Sequence, residues 1–123
     1  MRTKGKSSVE FNNVFLRSSA AISGPKEKKG PLGKFFDYSY DDCRTENWEQ
    51  AEIKLQKDAM KLALKKIGLE FSDIRVVIGG DLNNQLAITN YAMRDFDVPY
   101  LGVYSACSTC TQSIAIASML IDS

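Results

Sequence analysis

Histidine is absent from the 123 residues, so neither an imidazole base nor a histidine metal ligand can come from this chain. A surplus of either charge is missing as well. Sixteen Lys and Arg stand against 15 Asp and Glu, a net charge of +1, which leaves no global field to recruit nucleic acid or an anionic surface. Cysteine occurs three times, at Cys43, Cys107 and Cys110. A zinc site would need four ligands, and only Cys43 and carboxylates could join the other two cysteines, so no metal and no cofactor are expected. The basic N-terminus has no apolar core behind it, which argues against a secretory signal and for an intracellular protein with reduced thiols. No Lys, Arg, Asp or Glu occurs from Val98 through Ile121, yet Pro99, Gly102 and several Ser and Thr interrupt that run. A membrane span needs about 20 mostly apolar residues, so the run reads as a buried strand followed by a buried helix.

What is present patterns as α/β. Residues Ser8 to Ser19 place Val9, Phe11, Val14 and Phe15 in an extended segment. Ser23 to Asp42 mixes three glycines and two prolines with charges and reads as a long loop. From Thr45 an apolar stripe of Trp48, Ala51, Leu55, Ala59, Leu62 and Ile67 predicts a helix. Thr45 suits its N-cap and Gly68 its stop. "DIRVVIGG", Asp73 to Gly80, predicts a buried strand, and a helix from about Asn84 to Phe96 follows. "VPYLGVYSA" predicts a second strand, and from about Ser108 a helix of small apolar residues needs other structure around it. The order helix, strand, helix, strand, helix indicates parallel strands with crossover helices. So thin a sheet, ending on its most apolar helix, predicts the N-terminal part of a longer chain.

Cys107 falls where the second strand turns into that last helix, a position where unpaired N–H groups and the helix dipole favour a thiolate. It also faces the crevice beyond the strand ends, where α/β sheets bind ligands. Three readings stay open for it: a nucleophile, half of a C-x-x-C redox or metal pair with Cys110, or an inert core thiol. "GGDLNN", Gly79 to Asn84, lacks the spacing of a phosphate loop. Asp81, Asn83, Asn84 and Gln85 offer either polar contacts at the strand end or structural caps.

"SACSTCTQSIAIAS" resembles the nucleophile segment of the thiolase and β-ketoacyl synthase superfamily. More specifically, "GPKEKKGPLGKFFD", "NWEQAE" and "GDLNNQ" resemble the stage V sporulation protein AD family of spore-forming bacteria, from about Gly5 to the last residue. The resemblance implies a thiolase-like fold of two similar halves, of which residues 1–123 supply the N-terminal half-domain, with a parallel-rich sheet and a buried nucleophile helix. It implies binding of dipicolinic acid and its movement into the forespore without turnover. The partners implied are the other proteins of the spore dipicolinate transport complex and, at full length, a second copy in a homodimer; no nucleic acid is involved. The implied location is peripheral, on the cytoplasmic face of the forespore inner membrane, with no transmembrane segment.

For the site, the resemblance places Cys107 at the nucleophile position. The N–H groups near Ser108 suit a dicarboxylate, and by superfamily analogy Asn84 and Gln85 of the "NNQL" loop approach the pocket of the partner subunit in a dimer. Two departures stand out: Ser105 where glycine is common, and Cys110 where serine is frequent. Two alternatives remain. One is an acyl-transferring condensing enzyme with Cys107 as nucleophile, and the other a small redox or interaction domain complete at 123 residues.

Overall fold

In the computed structural model, which describes residues 1–123, Gly5 at φ +65° takes a left-handed conformation that glycine adopts without steric cost. The chain therefore folds back on itself, and β1 (Arg2–Lys4) pairs antiparallel with β2 (Ser8–Glu10). Lys4 meets Glu10 across this exposed hairpin at 2.9 Å. The extended segment expected over Ser8 to Ser19 is a strand only in its first three residues. Beyond them Phe15 and Leu16 lie exposed, with no strand to pair against. The segment is instead held to a helix end further on, where Ser18 Oγ donates to Ala63 O at 2.7 Å and Lys66 Nζ to Ser19 O at 2.8 Å.

Residues 23–42, expected as one loop, carry structure of their own. β3 (Ile22–Ser23) pairs in parallel with β4 (Tyr38–Ser39), and the connection contains α1 (Pro25–Lys28) and a 3₁₀ turn, Gly33–Phe35. Proline at the first helical position starts α1. The Ser23 and Ser39 hydroxyls bond at 2.8 Å and pin the strand register. These elements are two to four residues long, below the length at which periodicity registers.

α2 (Trp48–Lys65) matches the predicted helix, but its cap is Asn47 rather than Thr45. Asn47 has extended backbone, and its side chain accepts from the Gln50 N–H at 2.8 Å. Thr45 sits too early to reach that N–H and donates its hydroxyl to Asn47 O instead. Gly68, at φ +67°, ends the helical path as expected. α2 packs on α3 and β3 with no residue fully buried, and Trp48 at its head is 85% exposed.

β5 (Val77–Gly79) and β6 (Tyr100–Gly102) form a parallel pair, with Ile78 opposite Leu101 and Gly79 opposite Gly102. Their crossover carries α3 (Ala87–Met93), shorter than the Asn84 to Phe96 expected. The reason lies in Gln85 and Leu86, both left-handed at φ 55° and 58°, a hand that cannot continue into a right-handed helix. A Cβ on Gly80 or Gly102 would come within 2.9 and 2.7 Å of the Leu86 methyls. Leu86 thus fills space that two glycines leave open.

The chain then passes through a 3₁₀ turn, Ala106–Ser108, into α4 (Thr109–Asp122), which packs on β5. Eleven of the 123 residues are buried, so the core is thin. It centres on Leu86, Ile88, Ala92, Met93 and Val103, between α2, α3 and the β5–β6 pair. The expected burial of the last strand and helix is not met within these residues. Leu101 is exposed, and Ile114, Leu120 and Ile121 are 61, 55 and 60% exposed. One face of α4 lies on β5, and the Met1 ammonium pairs with Asp122 at the helix end, while Ile114, Leu120 and Ile121 stay uncovered. No helix is long and apolar enough to cross a membrane.

Candidate functional site

The carboxyl end of β5 and the head of α4 meet in an open cleft of about 530 Å³. Gly79, Gly80, Asp81 and Leu82 line one wall, and Ala106, Cys107, Thr109 and Cys110 the other. The crevice past the strand ends is where a parallel pair leaves room for a ligand. Here close backbone contact builds it. A Cβ on Gly80 would lie 2.3 Å from the Val103 carbonyl oxygen, so only glycine lets the two strand exits run this close. Val103 N–H donates to Gly79 O at 2.8 Å, and the Tyr100 hydroxyl donates to the same oxygen at 3.1 Å. Burial pushes the Tyr100 phenol above its ordinary pKa and Asp81 adds to this, while a contact with Thr89 works against it.

Asp81 is 6% exposed and organises the β5 side. Its Oδ2 accepts from both the N–H and the hydroxyl of Thr89, at 2.7 and 2.6 Å, and its Oδ1 accepts from the Asn83 N–H at 2.8 Å. Since Leu86 provides no side-chain cap for α3, Asp81 caps that helix from the strand end. The structural alternative for "GGDLNN" therefore describes Asp81 and Asn83. The same network fixes the turn through Gln85 and Leu86, which Asn90 braces by donating to Gln85 O at 3.1 Å.

Cys107 is exposed, as is Cys110, and both line the cleft. Within residues 1–123 Cys107 is therefore a cleft thiol rather than a core one. It follows Ala106, which is left-handed at φ 46°. A non-glycine residue in that region carries local strain, and such residues cluster at functional turns. Ser108 is in the same turn, but its hydroxyl points back into it, bonded to Ser105 Oγ at 2.6 Å and donating to Ser105 O at 2.8 Å. Thr109 begins α4 with a buried hydroxyl that has no hydrogen-bond partner. Asn84 and Gln85 are exposed on the adjoining loop and lie outside the cleft lining.

Of the predicted site residues, the structure thus brings Cys107 to the cleft and leaves Asn84, Gln85 and the Ser108 hydroxyl beside it. The lining holds no Lys or Arg. No group of three or more Cys, Asp or Glu comes together in a way that could hold a metal ion. Sequence reasoning missed the orphaned Thr109 hydroxyl and the left-handed Ala106, neither of which leaves a mark in residue type. It also passed over a second groove, where half-buried Cys43 lies with Trp48, Leu55, Phe36 and Lys26.

Comparison with known proteins agrees with the motifs. The family profile described as Stage V sporulation protein AD matches residues 5–123. Stage V sporulation protein AD of Bacillus subtilis (strain 168) is 42% identical over 125 residues, covering 99% of this chain and 37% of the relative. The chain therefore spans little more than a third of that relative's length. A profile match over nearly all residues, together with this identity, means that the chain belongs to the stage V sporulation protein AD family.

Proposed function

We propose that the chain is part of a thiolase-like protein that binds dipicolinic acid and helps move it into the forespore, without chemical turnover. The observation that carries this reading is the family match over residues 5–123, and an open cleft beside Cys107 supports it. Dipicolinate is a flat aromatic dicarboxylate, which needs N–H or cationic donors around an apolar slot. The Ser108 and Thr109 N–H groups are spent on Ser105 O and Ala106 O, so N–H donors for an anion come from the first turn of α4 beyond Thr109, and Ile78, Leu82 and Ile114 supply apolar wall. The volume of about 530 Å³ is in the range of small-molecule sites. Cationic countercharge has to come from the remainder of the full-length protein, because this lining has none. With no histidine in the chain, Cys107 has no imidazole base here, and a thiol without a base favours binding over catalysis.

In this reading the protein acts as a homodimer at full length, alongside the other proteins of the dipicolinate transport complex. It sits peripherally at the cytoplasmic face of the forespore inner membrane. Calorimetry on the full-length protein tests the central claim: dipicolinate gives saturable heat, and its absence at millimolar ligand rejects the reading.

A second reading rests on the strained Ala106 ahead of Cys107, a turn that presents a side chain for attack. Here the Cys107 thiolate attacks an acyl-CoA thioester, the carbon–sulfur bond to CoA breaks, CoA leaves as its thiol and an acyl–Cys107 thioester forms. Mass spectrometry after incubation with acyl-CoA thioesters separates the two readings. An unmodified Cys107 across several chain lengths leaves only the first.

A further inference from the structure

We propose that Cys107 and Cys110 are a thiol–disulfide exchange site, closing to an intramolecular disulfide with low-molecular-weight disulfides such as glutathione disulfide. Both thiols are free, exposed and on the same wall of the cleft. Local geometry favours their union. Cys107 lies inside the 3₁₀ turn Ala106–Ser108, and the Thr109 N–H closes that turn on Ala106 O. A 3₁₀ turn repeats every three residues, so side chains at i and i+3 eclipse one another, whereas in an α-helix they are staggered. Successive turns of helix bring Cβ atoms at this spacing to about 5–6 Å, and a disulfide needs about 3.5–4.5 Å. A helical step of three residues sets Cα atoms about 5 Å apart, inside the roughly 4.4–6.8 Å that a disulfide accepts, so rotation of the two side chains has to close the Cβ gap. Cys110 is only the second residue of α4, within the first turn, where no N–H is held by a carbonyl of the same helix. The remaining closure therefore falls on the 3₁₀ turn and the first turn of α4 rather than on the body of the helix.

The exchange balances as follows. The thiolate of one cysteine attacks glutathione disulfide, breaking its S–S bond, forming a cysteine–glutathione bond and expelling one glutathione thiolate. The neighbouring cysteine's thiolate attacks the protein sulfur of that mixed disulfide, forms the Cys107–Cys110 bond and expels the second glutathione. The protein loses two electrons, the reagent gains them, and the two cysteine protons end on the two glutathiones. Cys43 is a built-in contrast. It lies in a different groove lined by Trp48 and Leu55 with no second thiol, so its exchange stops at the mixed disulfide.

The test uses the full-length protein, reduced and then equilibrated in glutathione buffers of increasing oxidation, quenched in acid, alkylated and digested with trypsin. Arg94 is the last Lys or Arg before Cys107, so both cysteines fall on one peptide. That peptide is expected to lose both alkylation sites together and two hydrogens, without a glutathione adduct, while Cys43 acquires one. Substituting Cys110→Ser should then trap glutathione on Cys107, at roughly tenfold or more the wild-type occupancy. A stable glutathione adduct on the wild-type peptide overturns the proposal, as does a peptide still fully alkylated where Cys43 is fully modified, or a C110S protein with no adduct at Cys107. The readout needs no dipicolinate, so it stands or falls separately from the ligand reading.

Discussion

Replacing Asp81 with alanine removes the acceptor for two Thr89 donors in a buried setting and for the part-buried Asn83 N–H. Hydrogen bonds to a charged partner contribute about 1.5–3 kcal/mol each. The Asn83 N–H can turn to water, so the loss is concentrated on Thr89, whose N–H and hydroxyl are left without a partner. Removing the carboxylate also relieves its own desolvation and the like charge of nearby Glu52. The net loss is therefore about 2–4 kcal/mol. Asp81→Asn is the informative companion. Its single carbonyl oxygen can still serve both Thr89 donors, while its amide then faces the Asn83 N–H, a loss of about 1–2 kcal/mol.

Urea unfolding of the full-length protein at neutral pH reads both variants, the alanine midpoint falling by on the order of 1 M with the slope unchanged. A double-mutant cycle with Thr89→Ala should give a coupling of about 0.5–3 kcal/mol. If the alanine variant stays within about 0.5 kcal/mol of the parent, or the asparagine variant loses as much as the alanine, Asp81 is not the cap of α3 and the account of this loop is wrong.

Three further outcomes follow from the geometry. Asn47→Ala should cost about 1 kcal/mol of unfolding free energy because the Gln50 N–H loses its cap, and Thr45→Ala should cost well under half of that; equal losses would restore Thr45 as the cap. Gly80→Ala sets a methyl 2.3 Å from the Val103 carbonyl, so the β5–β6 exits must separate, at a cost of about 1–3 kcal/mol or more; a melting temperature equal to the parent's contradicts the close approach. Glu52 has its pKa raised, first by burial and then by the charges of Asp81 and Glu49. The stability its neutral form contributes is present in acid and is lost as pH rises from the ordinary glutamate range through the raised value. Glu52→Gln should therefore raise the denaturation midpoint at neutral pH and leave it unchanged in strong acid, as read by unfolding at the two pH values.

Elements whose signal accumulates over many residues were legible in the sequence. α2 follows its apolar pattern and ends where Gly68 says it should, and of the strand expected over Asp73 to Gly80 the half-buried core Val77–Gly79 is β5, while Asp73 closes a 3₁₀ turn. Elements made by a single conformational choice were not. No composition predicts that Gln85 and Leu86 both turn left-handed, since that follows from where Leu86 lands between Gly80 and Gly102. Nor does periodicity resolve β3 and β4, whose pairing rests on two residues each and one serine–serine bond. The site divides the same way. Cys107 could be placed from its position between a strand and a helix, whereas the burial of Asp81 and the outward turn of Asn84 and Gln85 depend on contacts that only the folded chain provides.

The uncharged stretch from Val98 through Ile121 marks the boundary of what a sequence pattern can say. It correctly announces that β6 and α4 avoid charge, but hydrophobicity names a face without naming its cover. In the structure one side of α4 covers β5, while Ile114, Leu120 and Ile121 face outward beside a groove of about 410 Å³ that they share with Ile74, Val76 and Ile78. Contiguous apolar surface of this kind marks contact with other polypeptide or with a ligand. The Cys107 cleft opens at the other end of the same helix and shares Ile78, Ser113 and Ile114 with this groove. Whatever packs against α4 therefore also sets the shape of the cleft beside Cys107. A ligand measurement made with that apolar face uncovered would report on a different cavity, so the full-length protein is the material on which the proposed site has to be judged.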